Sequence, residues 1–301
     1  MFILQPPVYL DDNNFYHKKK KFFRRFDKRA HNHGPTYDLR LIILRHAERV
    51  DLVLGESWYD YVFGGVPSAP PQSYLHPLLP QALPQRLNTL LYVFDPPITR
   101  LGESKSYSRG QELSRLGVSS IDHCYSSPAC RSVLTASAVL DGISRNSVPI
   151  RLEPYLFEPL SWNQPLQMLD TVSPFMSTRE WMMAGYNIDR NYQRLNNYLN
   201  PMETEIDFYM RSQYVFQSIE RRHGGVAPPI GRASKRARHS TVLIVGHAAT
   251  PLIFQHIALQ QPFNSEVFGQ QCGTIPFLHT VVLERNAINR MWYMRPIMSF
   301  V

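Results

Sequence analysis

Two apolar runs in this chain each stop at a histidine. Leu41-Ile42-Ile43-Leu44 runs into Arg45-His46, and Val242-Leu243-Ile244-Val245 runs into Gly246-His247. Short continuous apolar runs fit strands covered on both faces, the pattern of a parallel sheet clothed by helices. Strands of one parallel sheet present their C-terminal ends on a common edge, where ligands of open α/β sheets bind. The two histidines are therefore expected to be neighbours in space although most of the chain separates them. Arg45 and Arg49 flank His46, and guanidinium forks suit the oxygens of phosphate. Taken alone, a basic strand end is equally a solvated loop, so the remaining residues have to decide.

Those residues alternate between strand and helix signals. Asp38–Leu44 reads as the first strand, followed by an irregular stretch from Asp51 to Pro97. Thr99 caps a helix with Glu103 in its first turn and Gly117 at its end. Ile121–Ser126 is a short strand, and Ser127-Pro128 starts a helix with the proline where a missing N–H is harmless. Val133, Ala136, Val139 and Leu140 form that helix's apolar face, and Arg131 lies in its first turn. Pro149–Leu152 is a strand, then Glu153-Pro154-Tyr155-Leu156-Phe157-Glu158-Pro159 a loop, then short helices within 160–200. Glu203–Arg221 reads as an amphipathic helix with Ile206, Tyr209, Met210, Tyr214 and Phe216 among its apolar positions. After the second histidine, Ala248–Pro251 leads into a helix to about Leu259. Thr280–Glu284 and Met291–Arg295 close the chain as a hairpin. The alternation predicts an α/β fold with a mostly parallel sheet.

A chain of 301 residues with 44% hydrophobic content is able to bury a sizeable core. Its three cysteines, Cys124, Cys130 and Cys272, lack the close pairing of a disulfide framework or zinc site and point to a reducing compartment. The opening Met1–Pro7 is too short and proline-interrupted for a signal-peptide core, and no run reaches the ~18 apolar residues of a membrane span. The reading is a soluble, cytoplasmic protein, with nuclear access through Lys235-Arg236-Ala237-Arg238 as one role for that segment. The net charge of +8 calls for an anionic partner without separating a phosphorylated substrate from nucleic acid or a membrane surface. Residues 1–37 read as a basic, flexible arm, either solvated or in weak contact with an anionic surface. Residues 38–301 then form the domain, with an insertion at about 52–97 and a basic loop at about 221–239. No recognised binding motif accompanies these charges, so no specific nucleic-acid partner is expected.

Four segments carry a resemblance. Arg45-His46-Ala47-Glu48-Arg49 resembles the Arg-His-Gly signature of the histidine phosphatase superfamily, which also contains the cofactor-dependent phosphoglycerate mutases. Ile98-Thr99-Arg100-Leu101-Gly102 looks like its L-T-x-x-G helix opening, and Tyr125–Ala136 like its S-S-P-x-x-R-x-x-x-T-A segment. Val245–Thr250 looks like its second histidine segment. Within the superfamily, Arg45–Asp51 and Glu153–Glu158 are similar to the Sts/TULA phosphatases and the ecdysteroid-phosphate phosphatases. The resemblance covers roughly 38–296 and implies a three-layer α/β/α sandwich, phosphoglycerate mutase-like. The ubiquitin-binding and SH3 modules of the Sts/TULA proteins find no room in 301 residues, so the expectation is a stand-alone phosphatase domain.

The chemistry implied is a metal-independent, histidine acid-type phosphatase that passes through a phosphohistidine. A phosphomonoester needs a nucleophile, cations for its equatorial oxygens and an acid for the leaving oxygen. By resemblance His46 is the nucleophile, Arg45, Arg49 and Arg131 clamp the phosphoryl oxygens, and His247 stabilises the transition state. Glu158 is the general acid, with Glu153 as competitor, and Thr250 either holds the His247 turn or merely starts a helix. No cofactor or metal is implied. The implied substrates are phosphotyrosine proteins or other bulky or small phosphate esters, and a homodimer carries over at the level of the fold. Three positions depart from the pattern: Ala47 replaces Gly, Tyr155 stands for Gly, and Pro159 follows the acid where an aromatic is usual. They motivate an alternative, a catalytically weak phospholigand-binding or interaction domain of the same fold; a phosphate-transfer mutase is a further one.

Overall fold

At the centre of the sheet lies β1, Tyr37–Arg45, a nine-residue strand buried almost throughout. The computed structural model describes residues 37–68, 75–81, 83–86, 88–118, 120–162, 173–225 and 239–296. The basic arm up to residue 36 and the segment 226–238, with its Lys235–Arg238 cluster, lie outside the described residues. After β1 come α1 (Val50–Leu54), α2 (Trp58–Phe63), α3 (Leu91–Phe94) and α4 (Arg100–Arg115). Next are β2 (His123–Ser126), α5 (Cys130–Gly142), β3 (Ile150–Leu152), α6 (Thr178–Met183) and α7 (Glu205–His223). The chain continues through β4 (Ser240–Gly246), α8 (Ala249–Ala258), α9 (Ser265–Thr274), β5 (Thr280–Asn286) and β6 (Trp292–Arg295).

The six strands run in the order β3-β2-β4-β1-β5-β6. The first four are parallel, while β5 and β6 are antiparallel additions on one side. Each apolar run feeds two cores. Ile42 and Leu44 of β1, with Leu243 and Val245 of β4, face Leu113 of α4 and Val133, Ala136, Val139 and Leu140 of α5. Leu41 and Ile43, with Val242 and Ile244, face Phe208, Val215 and Ile219 of α7, Ile253 and Phe254 of α8, and Phe268 of α9. A strand clad on both sides cannot alternate apolar with polar, which explains the continuous runs. Each Leu or Ile so buried contributes about 1.5–3 kcal/mol. The result is the three-layer α/β/α sandwich with a mostly parallel sheet. No helix among the described residues is long and apolar enough to cross a membrane.

Three local expectations change. The stretch after Asp51 is not simply irregular: α1, α2 and α3 occupy part of it and place Trp58, Tyr59, Phe63 and Tyr92 in the first core. Helix α5 begins at Cys130 with Ala129 as N-cap, so Pro128 precedes the helix instead of occupying its first turn. The stripe that α7 buries is Phe208, Arg211, Ser212, Val215, Phe216 and Ile219, whereas Ile206, Met210 and Tyr214 are exposed. Arg211 explains the rotation: its guanidinium bonds Glu203 at 2.7 Å and the carbonyls of Tyr155 (2.6 Å) and Phe157 (2.8 Å). A cation buried by a paired carboxylate looks like a surface position in the sequence.

Candidate active site

The site grows from strand register. Arg45 of β1 pairs with Gly246 of β4, so the next residue of each strand, His46 and His247, leaves the sheet at the same edge. The His46 N–H donates to the Gly246 carbonyl at 2.9 Å. The two imidazoles meet edge to face with ring centroids 5.4 Å apart, and they are 2% and 1% exposed. Thr250 Oγ1 accepts the His247 N–H at 2.9 Å and so holds the turn. Gly246 makes this possible, because a Cβ there would meet Thr250 Oγ1 at 2.3 Å.

His46 Nδ1 lies 2.8 Å from the Ala47 carbonyl oxygen. A carbonyl only accepts, so Nδ1 carries the proton and Nε2 the lone pair. Burial, then the positive charge of Arg131, pushes His46 well below the usual imidazole range. The same two causes act in the same order on His247. Both rings are therefore neutral at physiological pH. On His247, Nε2 is 2.9 Å from Ser127 Oγ, while Nδ1 faces Arg131 Nη2 at 3.3 Å and Glu158 Oε2 at 3.6 Å.

Arg131 is 1% exposed and donates from Nη2 to Glu158 Oε1 at 2.5 Å. Its Nε has no hydrogen-bond partner among the described residues, and neither has Arg45 Nε. Buried donors without acceptors are costly, so two such donors at one strand edge form a cradle for an anion. Arg45 is steered by the Ile275 carbonyl, which accepts from Nη1, and by Phe277, over whose ring the guanidinium sits at 4.4 Å. Phe277 in turn lies 5.7 Å from the His46 ring. Arg49 is held by Asp51 through two bonds of 2.9 and 2.5 Å, and its charge reaches His46, His247 and Arg131.

The two candidate carboxylates part company here. Glu158, with its side chain 18% exposed, joins Arg131 and His247. Glu153 is buried and accepts from the Tyr155 N–H (3.0 Å), the Tyr192 hydroxyl (2.6 Å) and the Leu195 N–H (3.0 Å). Its lone pairs serve the loop. Arg211, which bonds the Tyr155, Phe157 and Glu158 carbonyls, ties the Glu158 loop to α7.

The three departures do not intrude on the cradle. The Ala47 N–H donates to Thr135 Oγ1 at 3.0 Å, and its methyl faces the start of α4. A Cβ added at Gly102 would lie 3.3 Å from the Ala47 Cβ and 2.9 Å from the Glu48 carbonyl oxygen. Room for Ala47 is therefore made by Gly102, three residues after the capping Thr99, whose hydroxyl accepts the Gly102 N–H at 2.9 Å. Gly102→Ala is expected to destabilise the fold by about 1–3 kcal/mol through overpacking against backbone, read as a drop in thermal midpoint of several degrees. An unchanged midpoint would show that the contact relaxes freely. Tyr155 packs towards α7, its hydroxyl accepting from Asn196 Nδ2 at 2.6 Å, and the Pro159 carbonyl accepts the Trp162 N–H at 3.0 Å.

Sequence reasoning missed Asp95, Ser127, Arg211, Phe157 and Phe277 as builders of the site. Phe157 lies 4.9 Å from the His247 ring and Arg131 is 5.6 Å from the Phe157 ring. Ser127 and Phe157 sat inside recognised segments without a role. The others carry no local signal, since their partners are distant in sequence.

No protein-family model matches the chain. The ecdysteroid-phosphate phosphatase of Bombyx mori is 33% identical over 214 residues, 69% of this chain and 28% of that protein. The ubiquitin-associated and SH3 domain-containing protein B of Homo sapiens is 29% identical over 258 residues, 84% of this chain and 36% of that protein. The chain thus spans a minor part of the curated relatives it matches. Among solved structures, the Bombyx mori ecdysone phosphate phosphatase in complex with tungstate superposes with a TM-score of 0.65 at 27% identity, covering 87% of this chain and 94% of that one.

Proposed function

The chain belongs to the histidine phosphatase superfamily, with a phosphoglycerate mutase-like fold, and from that premise we propose that it hydrolyses phosphate monoesters through a phosphohistidine on His46. The observation that carries the reading is the pairing of a neutral, tautomer-fixed imidazole with guanidinium donors: Nδ1 of His46 is tied to Ala47, and Nε of both Arg45 and Arg131 has no acceptor among the described residues.

In the first step the Nε2 lone pair attacks phosphorus, the bond from phosphorus to the ester oxygen breaks, and that oxygen takes a proton from Glu158. The product alcohol or phenol leaves. In the second step water attacks the phosphohistidine, Glu158 takes the water's proton, and inorganic phosphate leaves with His46 neutral again. Arg45, Arg49 and Arg131 supply positive charge around the equatorial oxygens. His247 is held at Nε2 by Ser127 and sits against Arg131, where an N–H of the ring donates to the same oxygens once phosphate has displaced a partner.

Phe157, fully buried, backs His247, whereas Phe277, partly exposed beside His46, presents an aromatic face that favours a flat, apolar leaving group, so we assign aryl phosphates, including phosphotyrosine, as the substrate class. The ecdysteroid-phosphate relative names another bulky ester. The test is a panel of a phosphotyrosine peptide, a phosphoserine peptide and p-nitrophenyl phosphate in excess chelator. Turnover of the aryl esters in chelator is expected, with kcat/KM for the phosphoserine peptide at least about tenfold lower. Loss of all turnover on chelation would point to a metal-dependent contaminant or mechanism and sink the proposal.

A further inference from the structure

Behind Arg131, away from Glu158 and His247, lies a carboxylate that the proposed reaction does not use. Asp95, directly after α3, is 0% exposed. Its Oδ1 accepts the Cys130 N–H at 2.8 Å and faces Arg131 Nη1 at 3.7 Å. Its Oδ2 accepts no hydrogen bond among the described residues and faces Arg86 Nη1 at 3.9 Å. Arg86 is itself anchored, donating from Nη2 to the Pro174 carbonyl at 2.5 Å. A fully buried carboxylate is expensive and persists only where it is compensated. Burial still raises Asp95 to about 6 despite the guanidinium groups of Arg131, Arg86 and Arg49 and the Cys130 N–H that oppose it.

The placement divides the work on one guanidinium. Nη2 of Arg131 points forward to Glu158 and His247, Nη1 points back to Asp95, and Nε is open. Asp95 also fixes the first N–H of α5, the residue before Arg131. Of the two carboxylates on Arg131, Glu158 is partly exposed and Asp95 is walled in. A phosphate dianion entering the cradle therefore displaces Glu158, and Asp95 stays.

Resting on the phosphatase reading, we propose that Asp95 is the positioning residue for Arg131, its charge holding the guanidinium edge-on so that Nε and Nη2 face the phosphoryl oxygens. Asn at this position isolates the charge, because its carbonyl oxygen is still able to accept the Cys130 N–H. The experiment is a double-mutant cycle in the full chain with Asp95→Asn, Arg131→Gln and the double variant. It measures kcat/KM for p-nitrophenyl phosphate and the inhibition constant of inorganic phosphate. Asp95→Asn is expected to weaken phosphate inhibition about tenfold with Arg131 in place and by no more than about twofold in the Arg131→Gln background, since residues that act through one another are non-additive. Equal losses in both backgrounds, or no loss in the first, overturn the proposal. If Arg131→Gln alone leaves phosphate inhibition at the wild-type value, the phosphatase reading of the site fails and the proposal with it. Should the Asn variant be recovered unfolded, Asp95→Ser, which also removes the charge, goes through the same cycle and is judged by the same criteria.

Discussion

His46→Ala is expected to lower kcat for p-nitrophenyl phosphate by at least about 1,000-fold, because removing a covalent nucleophile abolishes the two-step route and leaves only positioning and charge. The wild-type enzyme, mixed with labelled substrate and quenched in base, should carry a protein-bound phosphate that is released by acid, the signature of a phosphoramidate; the Ala variant should carry none. The variant loses one buried side chain and the Ala47 contact, so its melting temperature reports whether the fold survives. A folded variant that retains wild-type turnover would remove His46 from the mechanism. The pH dependence follows from the burial of the ring. Imidazolium loses its hydration in this pocket and meets Arg131, so the proton binds well below the ordinary value and the neutral nucleophile persists as pH falls. Single-turnover phosphorylation by the Asp95→Asn variant, which removes the buried carboxylate raised to about 6, is therefore expected to hold its rate from about pH 7 to about pH 5.5, where a free imidazole would have lost most of its neutral form. A midpoint near the free-imidazole value would contradict the desolvation argument.

The parts of this molecule that were legible in the sequence are those whose cause is local. β1 and β4 announced themselves because strands clad on both faces need unbroken apolar runs, and parallel pairing then forced His46 and His247 to one edge. The Thr99-x-x-Gly102 opening was readable as a helix cap, although its second purpose, making room for Ala47 and the Glu48 carbonyl, emerges only when the helix is seen against β1's end. What stayed hidden is charge buried by a distant partner. Arg211 with Glu203, Asp95 with Arg131 and Arg86, and Asp38 with Arg285 each look like solvent-facing residues until the chain is folded. One consequence was the face of α7, where a buried arginine in the core stripe shifted the apparent apolar side towards Ile206, Met210 and Tyr214. A second was the region after Asp51, whose helices of five, six and four residues are too short to display a 3.6-residue period. The choice between Glu153 and Glu158 had the same origin. Both lie in one loop, and only their partners, Tyr192 and Leu195 for one and Arg131 and His247 for the other, separate them.

Glu158→Gln is expected to act in proportion to the difficulty of the leaving group. Glu158 is bonded to Arg131 at 2.5 Å and stands 3.6 Å from His247 Nδ1, which puts it at the edge of the cradle where the proposed mechanism hands a proton to the departing oxygen. Gln keeps the shape and an acceptor for Arg131 Nη2 but holds no transferable proton. For a phenolate such as the tyrosine side chain, which holds its proton to about pH 10, or for an alkoxide, loss of general-acid help should cost about 10²–10⁴-fold in kcat. For p-nitrophenolate, which leaves readily unprotonated, the first step should lose less than about tenfold. Burst kinetics separate that first step from dephosphorylation, in which the same carboxylate activates water and the Gln variant should stall, so phosphoenzyme should accumulate. A purely electrostatic role, in which Glu158 does no more than neutralise Arg131, makes the opposite forecast: every leaving group suffers alike, and phosphate inhibition tightens because a competing anion has been removed. A uniform loss across p-nitrophenyl phosphate, phosphotyrosine peptide and an alkyl phosphate would therefore assign Glu158 to Arg131 alone and leave the proton to another group.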